Sequence, residues 1–135
     1  MKPEKNQEVQ AWLKKARDDL RGAQIDLEAS PPLIEDALFH CQQACEKAMK
    51  GFLTYHDRIF RKTHDLDVLV QTCVSIVSEL TADLDPARDL TVFAWEFRYP
   101  GEVEVPPEQE ARGYLDTARQ VFRIILSRLP EDVHP

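Results

Sequence analysis

Apolar residues recur at three- and four-residue steps along almost the whole chain, and prolines cut that pattern into segments. Val9, Trp12, Leu13, Ala16, Leu20, Ala23 and Leu27 fall on one face of a long amphipathic helix. Ser30-Pro31-Pro32 ends it, because proline lacks an amide donor and disfavours helix in the residue before it. A second helix is expected from about Leu33 to Tyr55, with a core stripe of Ala37, Cys41, Ala44, Cys45, Ala48, Phe52 and Tyr55. Phe39, Met49 and Leu53 project from it elsewhere, so this helix is apolar on more than one side. Such a helix lies at the centre of a bundle or carries an oligomer contact.

Thr63 is the expected N-cap of a third helix, with Asp65 in its first turn favoured by the helix dipole. Its stripe is Leu66, Leu69, Val70, Cys73, Ile76, Val77 and Leu80. Asp85-Pro86 reads as the start of a shorter helix through Leu90, Phe93, Ala94 and Phe97. Tyr99-Pro100-Gly101 breaks that helix. Glu102 to Pro106 reads as a loop, since the Val103/Val105 alternation is too short for a strand and has no partner segment. Pro107, Glu108 and Glu110 open a last helix carrying Ala111, Tyr114, Leu115, Ala118, Val121, Phe122, Ile125 and Leu129, which Pro130 stops. The expectation is an all-α, antiparallel up-and-down bundle of four long helices plus one short one. It forms a single domain over residues 1–135, with its core at about 9–129.

Composition agrees with this. A chain of 135 residues, 43% hydrophobic, can bury one continuous core without disulfides or metal. It is too apolar for a disordered chain, and its apolar runs are too short for a membrane span. Met1 to Gln10 is polar and leads straight into the helical pattern, so a soluble, cytoplasmic protein is expected. Cys41, Cys45 and Cys73, an odd number, read as reduced thiols. Cys41 and Cys45 flank one helical turn beside His40, but both sit on the apolar stripe and read as core residues. The net charge of −7 excludes the uniformly basic surface of a general DNA-binding protein. Charge is nonetheless segregated: Ala44 to His64 carries Lys47, Lys50, Arg58, Arg61 and Lys62 against only Glu46 and Asp57. Four scattered glycines supply no phosphate-binding loop, and no nucleophile elbow is present.

Three groups of residues can carry chemistry. On helix two, His40, Gln43, Lys47 and Lys50 fall within a sector of roughly 80° beside the core stripe. An imidazole, an amide and two ammonium groups in a row suit phosphate oxygens and a base or ribose edge. Their structural alternative is two solvated lysines, with His40 and Gln43 bonded to neighbouring helices. Lys62-Thr63-His64-Asp65 opens helix three, where unpaired backbone amides suit an anion; Asp65 and His64 are alternatively structural. In Glu96-Phe97-Arg98-Tyr99-Pro100, Arg98 serves either the helix dipole or a phosphate, and Tyr99 offers a stacking face. The carboxylates do not resolve into a metal site: Glu46 stands alone on its face, and Asp18 and Asp19 point apart. None of the expected helices carries the Glu-x-x-His pattern of helical di-metal sites. No metal and no cofactor are expected.

Taken together, His40-x-Gln42-Gln43-Ala44-x-Glu46-Lys47-Ala48-x-Lys50, Thr63-His64-Asp65-Leu66 and Arg98-Tyr99-Pro100 resemble the HEPN domain, the higher eukaryotes and prokaryotes nucleotide-binding family. The resemblance runs from about Trp12 to Leu129. It implies a bundle of about five helices, usually a homodimer with a cleft at or near the dimer interface. It also implies a small prokaryotic protein working beside a minimal nucleotidyltransferase, in a pair related to toxin–antitoxin modules. By position, His40, Gln43, Lys47, Lys50, His64, Asp65, Arg98 and Tyr99 match the family's proposed nucleotide-binding blocks.

One departure matters. Ribonuclease members of the superfamily carry an Arg and, four to six residues later, a His near the start of the last helix. After Arg98 this chain reads Tyr-Pro-Gly-Glu-Val-Glu-Val-Pro, so the proton-moving group is missing there. The expected function is therefore a nucleotide- or RNA-phosphate-binding module without catalysis. A ribonuclease with a relocated His, and a purely structural dimer or partner-docking protein, are the alternatives.

Overall fold

The structure, a computed structural model, describes residues 3–97, 100, 101 and 104–135. It is all-helical, with no strand among the described residues: α1 Pro3–Glu28, α2 Ile34–Tyr55, α3 Leu66–Ile76, α4 Leu80–Leu84 and α5 Glu108–Ser127. Two 3-10 segments, Asp85–Ala94 and Glu131–Val133, complete it. No helix among the described residues is long and apolar enough to cross a membrane.

The expected stripes are the core. Val9, Leu13, Ala16, Leu20, Ala23 and Leu27 of α1 are buried against α2, and Ala111, Leu115, Ala118, Val121, Phe122 and Ile125 of α5 close the bundle. Helix α2 is packed by α1, α3, α5 and the long 3-10 segment. Met49 and Leu53 are fully enclosed within the chain, which gives α2 its central position, while Phe39 is half-buried. Cys41, Cys45 and Cys73 are buried, unpaired core residues, as their place on the stripes requires.

Two local expectations are corrected. Asp65, not Thr63, caps α3: its Oδ1 accepts from the Asp67 amide at 2.9 Å, while Thr63 Oγ1 accepts from the Asp65 amide at 3.0 Å. The Asp65 carboxylate stands two residues before the orphan amide it accepts from, and the Thr63 hydroxyl shapes the turn before it. Helix three also stops at Ile76 and not at Leu80. Val77 is extended, and a new turn starts at Ser78, whose carbonyl accepts from the amide and hydroxyl of Thr81. Leu80 is buried from α4 instead.

The segment after Asp85-Pro86 is a 3-10 helix, and its sequence shows why. Leu84, Ala87, Leu90 and Phe93 are all buried and are spaced by strictly three residues. A helix with three residues per turn keeps such a row on one line, whereas an α-helix rotates it away from the core.

Candidate functional site on the central helix

Helices α1 and α2 run antiparallel, and their polar pairs reveal the register. Asp19 meets Lys47 and Asp26 lies by His40, so seven residues forward on α1 match seven back on α2. This register divides the sequence-predicted ladder of α2 between two separate carboxylate-centred groups.

The first group is built on Glu46, which is 3% exposed. Gln42, Glu46 and Lys50 follow one another at four-residue steps, so their side chains line up along α2. Glu46 Oε2 pairs with Lys50 Nζ at 3.0 Å. Its Oε1 accepts from His64 Nδ1 at 2.7 Å and from Gln42 Nε2 at 3.1 Å. Gln42 Nε2 also donates to the His64 carbonyl at 3.0 Å, and Gln43 Nε2 donates to Gln42 Oε1 at 2.7 Å. Lys50 is only 6% exposed, and its ammonium lies 5.7 Å from the Trp12 ring centroid and 5.8 Å from that of Phe60. Two aromatic faces and a carboxylate thus replace the water that this cation has lost.

A carboxylate only accepts, so His64 Nδ1 carries the proton and its other nitrogen is left as an acceptor. The His64 side chain is 58% exposed. This is the one member of the Glu46 group that faces solvent, and it is held there by a buried carboxylate and by its own backbone carbonyl.

The second group is built on Asp19 of α1. Its Oδ1 accepts from His40 Nδ1 at 2.8 Å and its Oδ2 from Lys47 Nζ at 2.7 Å. His40 Nε2 then lies 3.4 Å from Asp36 Oδ2, one turn earlier on α2. Asp26 stands beside them; burial and the neighbouring Asp36 push its carboxyl up from the usual range to about 6, against a smaller opposing influence of His40.

The structure therefore brings Gln43, Lys50 and His64 together at Glu46, and His40 and Lys47 together at Asp19. Glu46 does not stand alone on its face, as the chain alone suggested: it is the hub. Lys47 and Lys50 are neither solvated surface lysines nor open phosphate ligands, since each is neutralised by a carboxylate. Asp65 is the α3 N-cap, with its side chain committed to the Asp67 amide. Arg98 and Tyr99 lie outside the described residues.

Next to the Glu46 group, exposed positive charge lies in the connection from α2 to α3. Arg58, Arg61, Lys62 and His64 are all exposed there, and no acidic residue interrupts 58–64. Ile59, in the same loop, is 98% exposed. Beside the start of α2 is a hollow of about 340 Å³ lined by Glu35, Asp36, Phe39, Phe93, Trp95 and Phe97. What sequence reasoning missed was the acidic side of these groups. Asp19 and Asp26 sit seven residues apart beside the core positions Leu20 and Leu27, and Asp36-x-x-x-His40 spans one turn of α2. Those spacings were the available signal.

A model of the HEPN domain matches residues 9–129. Among solved structures, the chain is similar to the crystal structure of TT1696 from Thermus thermophilus, with a TM-score of 0.66 and 25% identity; 90% of this chain and 98% of that chain are covered. No curated protein matches the chain significantly. The matched span takes in all of α2, α3 and α5, and with them both polar groups: the chain belongs to the HEPN domain family.

Proposed function

We propose that this HEPN domain binds the phosphates of a nucleotide or an RNA through the connection between α2 and α3, and that it works with a separate nucleotidyltransferase in a toxin–antitoxin-like pair. The observation that carries the reading is His64, presented to solvent by the buried Glu46 beside the exposed Arg58, Arg61 and Lys62; the exposed acid of the same connection, Asp57, pairs with Lys5 at 2.9 Å. On a chain of net charge −7, such a loop gathers positive charge locally, as the phosphates of a ligand require. The guanidinium and ammonium groups offer charge to the phosphates, and His64 Nε2 accepts a hydrogen bond from a ribose hydroxyl or a base N–H beside them. In this reading Gln43 and Lys50 support the Glu46 group behind His64, and Asp65 fixes the start of α3, while His40 and Lys47 enter by the resemblance of the helix-two block alone. Arg98 and Tyr99 enter by the resemblance of the Arg-Tyr-Pro block alone. The same resemblance supports a homodimer, and Ile59 is an apolar contact point suited to a partner.

The test is calorimetry with ATP, GTP and a short RNA at low and moderate salt, with the solution mass measured in parallel. Binding should weaken as salt rises, because phosphate contacts release counterions. Arg61→Ala with Lys62→Ala should reduce both affinity and the salt slope while the bundle stays folded. Unchanged binding in that variant would remove the loop from the site.

The Glu46–His64 pair favours a second reading, a ribonuclease with a relocated His. A carboxylate-oriented imidazole with its second nitrogen open to solvent has the form of a general base. It requires metal-independent RNA cleavage that His64→Ala abolishes. RNA left intact by excess protein over long incubation counts against it.

A further inference from the structure

We propose that Asp26, Asp36 and His40 form a binding site for a divalent transition-metal ion, set between the end of α1 and the start of α2. One ligand atom from each residue can be chosen so that all three lie within 4.8 Å of one another. Asp36 Oδ2 and His40 Nε2 are 3.4 Å apart. The edge of a tetrahedron with ligands about 2.0–2.1 Å from its centre is about 3.3–3.4 Å. This pair already has the separation that a shared Zn²⁺ requires.

Asp26 supplies the independent reason to expect a cation. The residue is 9% exposed, and its Oδ2 is closed off from solvent and accepts no hydrogen bond. A carboxylate oxygen that has lost water without gaining a donor is costly and rare in a native fold. The polar groups gathered with it are a second carboxylate, Asp36, and the His40 imidazole. A bound cation is the partner that satisfies all three at once.

His40 is prepared for such a role. Asp19 Oδ1 accepts from His40 Nδ1 at 2.8 Å, which fixes the tautomer and aims the Nε2 lone pair towards Asp36. Asp19 is itself held by Lys47 at 2.7 Å. A carboxylate behind a histidine is the usual outer support of a histidine-ligated metal. The ring also lies against Gly22 of α1, where a Cβ would come within 3.3 Å of its Cδ2 and Nε2. One imidazole and two carboxylates form a mixed nitrogen and oxygen set, which suits Zn²⁺, Co²⁺ or Mn²⁺ better than Ca²⁺ or a thiophilic ion. The Asp36 side chain is 57% exposed, so an ion has a path in and keeps an open position on the solvent side.

The test is calorimetric titration of the full chain with Zn²⁺, and with Co²⁺ while the visible spectrum is recorded. One equivalent should bind, and the Co²⁺ spectrum should show nitrogen and oxygen ligation without a thiolate charge-transfer band. Asp26→Asn and His40→Gln should each weaken Zn²⁺ binding at least tenfold, and Asp19→Asn by about tenfold. His64→Gln should leave binding unchanged, since its ring belongs to the other group. Asp36→Asn, at an exposed position, serves the same purpose if the more buried variants do not fold. Absence of stoichiometric binding, binding that survives both Asp26→Asn and His40→Gln, or binding lost in His64→Gln would each overturn the proposal. A Tm that rises equally with and without Zn²⁺ in Asp26→Asn would assign the unpartnered Oδ2 to a proton shared with Asp36 and would likewise overturn the proposal.

Discussion

Glu46→Gln removes the negative charge on which the Glu46 group depends while keeping its shape. Lys50 is then a buried ammonium, 6% exposed, whose carboxylate partner at 3.0 Å has become neutral. Removing one partner of a buried ion pair costs about 3–5 kcal/mol, because the charge left behind is desolvated and unpaired. The amide oxygen still accepts one hydrogen bond and the Trp12 and Phe60 rings remain, which places the expected loss at the low end, about 3 kcal/mol. Urea denaturation followed by circular dichroism reads this directly. With a slope of about 2 kcal/mol per molar, typical of a chain this size, the midpoint should fall by about 1.5 M. Lys50→Met added to Glu46→Gln should restore most of the loss, because no unpaired charge is then buried. A Glu46→Gln midpoint within about 0.3 M of the unmodified protein would refute the reasoning, since it would mean that water reaches the pair.

Gly113→Ala should stabilise α5 by about 0.5–1 kcal/mol, since nothing lies within 4 Å of the added methyl group. Gly22→Ala should fall short of that gain and should shift the His40 ring resonances, because its Cβ meets that ring at 3.3 Å; equal gains from the two changes would contradict the packing argument. Burial pushes the Cys41 and Cys73 thiols up to about 12 and raises Cys45 as well, so none should react with a thiol reagent at pH 8 until the protein is unfolded, when three should. Burial, with Lys5 second, holds His56 below the usual histidine range, and its Nε2 is enclosed without a partner. The unfolded chain therefore takes up this proton first: the contribution of His56 is complete above the ordinary histidine pKa and is lost as pH falls through the lower folded value. His56→Phe, which preserves the ring 4.5 Å from Phe52, should flatten the fall in Tm between pH 7 and pH 5; an unaltered fall would assign it to other groups.

The helices were legible because burial of one face imposes a period, and that period survives in Val9 to Leu27, Ala37 to Phe52 and Ala111 to Ile125 without knowledge of any neighbour. The break at Val77 was not, since Val77 and Leu80 continue the α3 stripe and only packing moves Leu80 onto a separate turn. The 3-10 segment carried its own sign in the three-residue spacing from Leu84 to Phe93, which a search for α-helical period passes over. For the polar residues the limit was different in kind. Their angular position on α2 follows from helix geometry, so His40, Gln43, Lys47 and Lys50 were correctly grouped beside the core. Which carboxylate meets each of them depends on the register of α1 against α2, a tertiary property. Asp19 and Glu46 were for that reason read as bystanders, although they are the centres of the two groups.

The central claim is that Glu46 presents His64 to a phosphate-bearing ligand within the α2–α3 connection. The most direct measurement is a titration of the ¹⁵N-labelled protein with a short RNA, following the His64 ring nitrogens together with the amides of the whole chain. The account predicts that the His64 Nε2 resonance moves with the amides of Arg61 and Lys62, that the change weakens with added salt, and that His40 and Asp26 stay unperturbed. Saturable binding that shifts residues lining the Phe39 and Trp95 hollow while leaving His64 in place would contradict it.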